Sequence, residues 1–149
     1  NNSAIKFLAC GFGSGLAPLA PGTAGTLAGI PLCLLCFPLP WFFRLLVVIA
    51  LLAFSIYIAG RAEKIYQKKD DQRIVIDEIV GFNHYAARND YGLAPVIAFV
   101  LFRLFDILKP FPLRRLQSLP GGWGIVMDDV GAGIYAGTLL ALFAAFINF

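Results

Sequence analysis

Residues 41–59 read WFFRLLVVIALLAFSIYIA, an apolar run broken by one charge, Arg44. Lipid offers no partner to backbone N–H and C=O groups, so a run of this kind is driven into helix. Nineteen residues rise about 28 Å, close to the hydrocarbon thickness of a bilayer. Arg44 lies near one end, where its side chain can snorkel to the interface. Trp41 belongs in the aromatic belt at the same level. The rest of the 149-residue chain agrees, being 59% hydrophobic with fourteen Phe and a mean hydropathy of +0.77. Only 14% of residues are charged, against about 25% in a soluble domain. That is more apolar surface than a small soluble core buries, so residues 1–149 are expected to form a single membrane domain.

Against this background the nine acids stand out. Four occur as adjacent pairs pressed against apolar runs, Asp77-Glu78 in IVIDEIVGF and Asp128-Asp129 in WGIVMDDVGAG. Asp106 lies within VIAFVLFRLFDILKP. A carboxylate taken out of water without a partner costs several kcal/mol, so such acids are paired, metal-bound or functional.

Punctuation divides the chain. Residues 11–29, GFGSGLAPLAPGTAGTLAG, hold six of the fifteen glycines and predict a loop, leading into a helix around 23–30. Residues 60–73, GRAEKIYQKKDDQR, are dense in charge and belong in water. Residues 74–82 predict a short helix, and 83–92, NHYAARNDYG, are too polar to continue it across a bilayer. A second apolar helix is expected from 93 to 108, stopped by Lys109-Pro110. FPLRRLQSLPGGWG is a polar connection. Residues 125–149 are long enough to span once, with Gly133 and Gly137 as a GxxxG contact face.

Several function classes fall away. The net charge of +3 is spread out apart from Lys68-Lys69 and Arg114-Arg115, so no basic, aromatic-interleaved nucleic-acid face is present. Those small clusters suit an anionic lipid surface. Cys33 and Cys36 form a CxxC inside an apolar run, with Cys10 as an odd third, and read as buried apolar cysteines. The first residues lack the pattern of a signal peptide. The single histidine, His84, sits beside Tyr85 and reads as interfacial.

The acids have a chemistry in common. Neighbouring acids on a helix point about 100° apart and can reach one ion together. Oxygen-only donor sets suit hard cations, chiefly Mg²⁺, which keeps waters and bridges to phosphate. Arg103, Asp106 and Lys109 repeat at three-residue spacing on roughly one helix face. They read either as an internal salt bridge or as an acid joining the cluster beside two phosphate-binding cations. The glycine loop offers bare amides and the hydroxyls of Ser14, Thr23 and Thr26, which can cradle a phosphate where a helix opens.

In order and spacing, GFGSGLAPLAPGTAGTLAG, IVIDEIVGF, FRLFDILKPFPLRR and GGWGIVMDDVGAGIYAG resemble the phosphatidylglycerophosphatase A family. The resemblance implies an all-α fold, a small polytopic integral membrane helical bundle with a glycine-rich N-terminal loop. It also implies an Mg²⁺-dependent phosphatase of the bacterial inner membrane, acting on the lipid phosphatidylglycerophosphate. By motif position Asp77, Glu78, Asp128 and Asp129 would be metal-binding and catalytic acids. Asp106 joins the catalytic set, and Arg103, Lys109, Ser14, Thr23 and Thr26 the phosphate contacts. The segment after Asp77-Glu78 is more polar than in the family, which predicts a re-entrant or interfacial element there.

Lys64, Lys68, Lys69, Arg73, Arg114 and Arg115 fall in two polar connections, which the positive-inside rule places in the cytoplasm, and the site with them. An ion-coupled transporter would need acids at mid-span and leaves the glycine loop unexplained. A CDP-alcohol phosphatidyltransferase would need a spaced aspartate series with an early DG and AR, which is missing.

Overall fold

The computed structural model describes residues 2–36, 38–86 and 94–147. In chain order these form α1 (Asn2–Ala9), a 3₁₀ turn (Gly11–Leu16), α2 (Pro21–Cys36), α3 (Trp41–Tyr66), α4 (Ile76–Ala86), α5 (Ala94–Leu108), α6 (Leu113–Leu116) and α7 (Gly122–Ile147). No strand occurs among the described residues, so the all-α expectation holds. α3 and residues Gly122–Phe143 of α7 are long and apolar enough to cross a membrane. The apolar window of α3 is 17% buried and that of α7 50%, so α3 presents its surface outward while α7 is the central element.

α7 packs against α3, α4, α5 and α6. Small residues bring the backbones together. A Cβ on Gly122 would run into the Ile56 carbonyl of α3, and one on Gly133 would lie 2.8 Å from the Gly81 carbonyl of α4. The GxxxG expectation is met at Gly133, which is a helix-contact residue. Two apolar clusters flank α7. One joins Cys33, Ala98, Phe102, Leu113, Ala132, Ala136 and Leu140. The other joins Ala9, Ile58, Ala59, Ala62, Ile74, Ile76, Ile125 and Val126. Cys10, Cys33 and Cys36 are free and buried, as the apolar surroundings implied.

The glycine-rich segment corrects one expectation. The sequence predicts a loop over 11–29 that leads into a helix around 23–30, yet α2 begins at Pro21 and runs through Gly22, Gly25, Gly29 and Pro31 to Cys36. Proline is at home in the first helical position, where its missing N–H costs nothing. The glycines are there for contact. A Cβ on Gly25 would lie 2.7 Å from Val75 Cβ, and one on Gly22 would strike the Glu78 carboxylate. Tertiary packing outweighs their poor helix propensity.

Elsewhere the sequence reading is close. α4 covers most of 74–82 and continues to Ala86, and α5 ends one residue before Lys109. Residues 87–92 of the polar stretch and the side chain of His84 lie outside the described residues. The polar connection 111–124 holds the short α6.

Candidate functional site

The site forms where the start of α4, the end of α5 and the start of α7 meet. Its foundation is the connection before α4. Val75 N–H donates to Ala9 O at 2.9 Å and Ile74 N–H to Asp71 O at 2.7 Å. Arg73 donates from its backbone and guanidinium to Asp71, at 2.7 Å from Nε, and stacks 3.9 Å from the Tyr66 ring centroid. α4 therefore starts in a fixed place, with Asp77 and Glu78 in its first turn, where free N–H groups favour negative charge. Gly81, one turn on, would place a Cβ 3.0 Å from Asp129 Cβ. That close crossing brings the second acid pair beside the first.

Five acids and two cations result. Asp77, Asp128 and Asp129 are 6%, 3% and 2% exposed. Arg103 Nη1 lies 2.8 Å from Asp106 Oδ2 and 3.3 Å from Glu78 Oε1. Lys109 Nζ lies 3.8 Å from Asp106 Oδ1 and donates to Asp128 Oδ2. The left-handed Lys109 (φ 43°) ends α5 and turns its chain back toward α7. When all five acids are ionised, the set carries three net negative charges, and Asp77 and Asp129 have neither cation within ion-pair distance.

The deficit is visible atom by atom. Asp77 Oδ1, Glu78 Oε2, Asp128 Oδ1 and Asp129 Oδ2 are buried without a hydrogen-bond partner. Burial, then the neighbouring Glu78, Asp128, Asp70 and Asp106 charges, push the Asp77 carboxyl well above the usual carboxylate range. Burial lifts Glu78 to about 8, with Arg103 working against the rise. Lys109 lies above the usual lysine range, because its bond to Asp128 and the surrounding acids outweigh desolvation.

One oxygen each from Asp106, Asp128 and Asp129 come within 4.8 Å of one another. Asp128 and Asp129 each keep a buried oxygen without a hydrogen-bond partner, and with Asp106 beside them such an oxygen set fits a hard divalent cation. The cavity holding them has a volume of about 370 Å³, and Asp77, Glu78, Arg103 and Lys109 line it too.

Every acid expected from the sequence thus reaches one cavity, together with both expected cations. Asp77 and Glu78 line it, but the three-oxygen group is made by Asp106 with the second pair. The hydroxyls lie elsewhere. Thr26 is fully buried and donates to Gly22 O at 3.0 Å, within its own helix. Ser14 donates to Gly11 O at 2.9 Å, and neither it nor Thr23 lines the cavity. The glycine segment contributes Ala20, Pro21 and Gly22.

Asp70, Gln72, Ile74 and Ile107 complete the lining and were not singled out from sequence. Asp70 was one more charge in a solvated run, and Ile107 one more apolar residue. Asp70 also accepts from Gln117 Nε2 at 2.7 Å, tying the two polar connections together.

These features define a class: an all-helical chain, apolar enough for a membrane, with an acid cluster able to hold a metal beside two cations. The chain belongs to the phosphatidylglycerophosphatase A family, whose model matches residues 7–144. It is 38% identical to the phosphatidylglycerophosphatase A of Escherichia coli over 89% of this chain and 79% of that one. The Haemophilus influenzae protein of that name is 42% identical over 89% and 83%. A Bacteroides thetaiotaomicron protein, provisionally named a phosphatidylinositol-3-phosphatase, is 43% identical over 89% and 88%. No solved structure matches the chain.

Proposed function

We propose that the chain is an Mg²⁺-dependent lipid phosphatase. It hydrolyses phosphatidylglycerophosphate to phosphatidylglycerol and phosphate at the cytoplasmic face of the bacterial inner membrane. The observation that carries this is the meeting of Asp106, Asp128 and Asp129 oxygens beside Arg103 and Lys109 in one cavity. Family membership and the names of the two bacterial phosphatidylglycerophosphatase A relatives supply the substrate.

Asp106, Asp128 and Asp129 would hold the ion, with Asp77 and Glu78 extending the acidic wall. The ion supplies charge neutralisation at the phosphoryl group and a more acidic bound water. Arg103 and Lys109 bind the phosphoryl oxygens and stabilise the charge that builds on them. Their present partners, Glu78, Asp106 and Asp128, hold both side chains over the cavity. Asp77, with Oδ1 unpaired, accepts the proton of the attacking water. Pro21 and Gly22, the first residues of α2, stand on the same cavity wall, where a helix start favours an anion.

The placement of both polar connections on one side supports a shared compartment for them. Lys69, Asp70, Arg114, Gln117 and Ser118 line a common recess. We read the element around α4 as interfacial, since its acidic first turn belongs to the site. The bundle would then be a multi-pass one in which α3 and α7 cross.

Purified protein supplied with phosphatidylglycerophosphate should release phosphate with Mg²⁺ and stop when a chelator is added. A phosphoinositide monophosphate assayed in parallel decides between the two names carried by the relatives. Absence of metal-dependent release from either lipid would sink the reading.

A further inference from the structure

The catalytic cavity is not polar all round. Asp70 and Gln72 form part of its lining, and Ala20, Pro21 and Ile107 form another part. Ile107 lines the cavity and is nonetheless 70% exposed, so it stands at a mouth. Directly before Ala20 and Pro21, Leu19 is 84% exposed. Past Ile107 the apolar surface continues through Leu108 and Phe111, 56% and 70% exposed. The two lips come from separate elements that close on each other deeper in, where a Cβ on Gly22 would lie 2.9 Å from Arg103 Nη2.

We propose that this mouth, between the start of α2 and the end of α5, is a lateral lipid portal. The phosphorylated headgroup enters between Leu19–Ala20–Pro21 and Ile107, while the acyl-glycerol part stays against those residues and the bilayer. The assignment rests on the lipid-phosphatase reading and adds the route and seat of the lipid.

The occupant follows from what the cavity joins. Arg103 and Ile107 are four residues apart on α5, so they share a face with a rise of about 6 Å between them. A ligand spanning both must carry an anion at one end and an apolar body at the other, which a phosphorylated lipid does. A free sugar phosphate would leave the lip bare to water, and a fully apolar lipid would bring no phosphoryl oxygens to Arg103 and Lys109. The exposed apolar surface of α3 lacks this continuity. Leu46 and Ile49 of α3 are 59% and 54% exposed but do not line the cavity. The arrangement also separates the products, with the dephosphorylated lipid returning sideways to the bilayer and phosphate leaving over Asp70 and Gln72.

Kinetics with two acyl lengths of one substrate test the portal. Ile107→Trp narrows the mouth, so its KM for long-chain phosphatidylglycerophosphate in mixed micelles should rise about tenfold more than that for a dibutanoyl analogue. Ile49→Trp should leave both values unchanged. Equal effects of Ile107→Trp on the two substrates, or an equal rise with Ile49→Trp, overturn the portal. A wild-type protein that cleaves neither substrate overturns the underlying phosphatase reading instead.

Photolabelling gives a readout independent of turnover. Vesicles carrying an acyl-diazirine form of the substrate should label residues 19–21 and 107–111, in competition with unlabelled substrate. Competed label confined to α3 would place the lipid elsewhere and remove the proposal.

Discussion

Asp71 and Asp129 are both buried acids, 4% and 2% exposed, and the protein treats them in opposite ways. Asp71 receives the Arg73 backbone N–H and two guanidinium bonds. Those bonds hold its carboxyl down at about 2. Asp129 Oδ2 has no hydrogen-bond partner, and its neighbours include Asp77, Asp106 and Asp128. A satisfied buried acid fastens a loop. A crowded, unsatisfied group of them stores electrostatic repulsion that a cation would relieve, which is the signature of a working site.

Removing a charge should therefore damage activity at one place and stability at the other. Asp129→Asn is expected to cut phosphate release about a thousandfold, the loss of a group acting with its neighbours as a unit. The same variant should insert and fold normally, because it removes repulsion and keeps the volume. A variant that retains wild-type turnover would take Asp129 out of the metal cluster.

A smaller effect is expected where packing positions an acid. A methyl on Gly22 would meet the Glu78 carboxylate and Arg103. Gly22→Ala should displace both and lower the rate about 10- to 100-fold, since small misplacements of catalytic groups are costly. Titration of Mg²⁺ against rate would show the loss at saturating metal, which a merely weakened ion site would not.

The two regions should also answer pH with opposite slopes. Glu78 rises from 4.5 to about 8 on folding, so the folded state binds the extra proton between those values. Without metal, stability should fall as pH rises from about 4.5 to about 8. Mg²⁺ should flatten that slope and raise Tm through selective binding to the folded state. Thermal unfolding in detergent, with and without the ion, measures both. A metal-insensitive Tm in wild-type protein, matching that of Asp129→Asn, would break the contrast.

Much of this was legible because charge inside an apolar chain is informative. Asp77-Glu78, Asp106 and Asp128-Asp129 were found by the cost of burying them, and the helix stop at Lys109 by its proline. What was hidden depends on contacts between distant segments. Gly22 and Gly25 read as helix breakers until Glu78 and Val75 are seen against them. Ser14 and Thr26 looked available for phosphate, whereas their hydroxyls are donated to nearby backbone carbonyls. That Asp106 and not the first acid pair joins Asp128 and Asp129 follows from how α5 approaches α7, which no local spacing encodes.

Asp71 offers the mildest test and the cleanest sign. Its carboxyl is depressed from 3.8 to about 2, chiefly by the Arg73 hydrogen bond, so its stabilisation is full above about 3.8 and lost as pH falls toward about 2. Arg73 is 44% exposed, so the pair is screened and its share is modest. Asp71→Asn should lower Tm by about 2–4 °C at neutral pH. At saturating Mg²⁺ and moderate temperature, turnover should stay near wild type, because Asp71 touches the loop and not the cavity. A large loss of rate with little change in Tm would reverse the comparison, making Asp71 part of the chemistry and not the footing of α4.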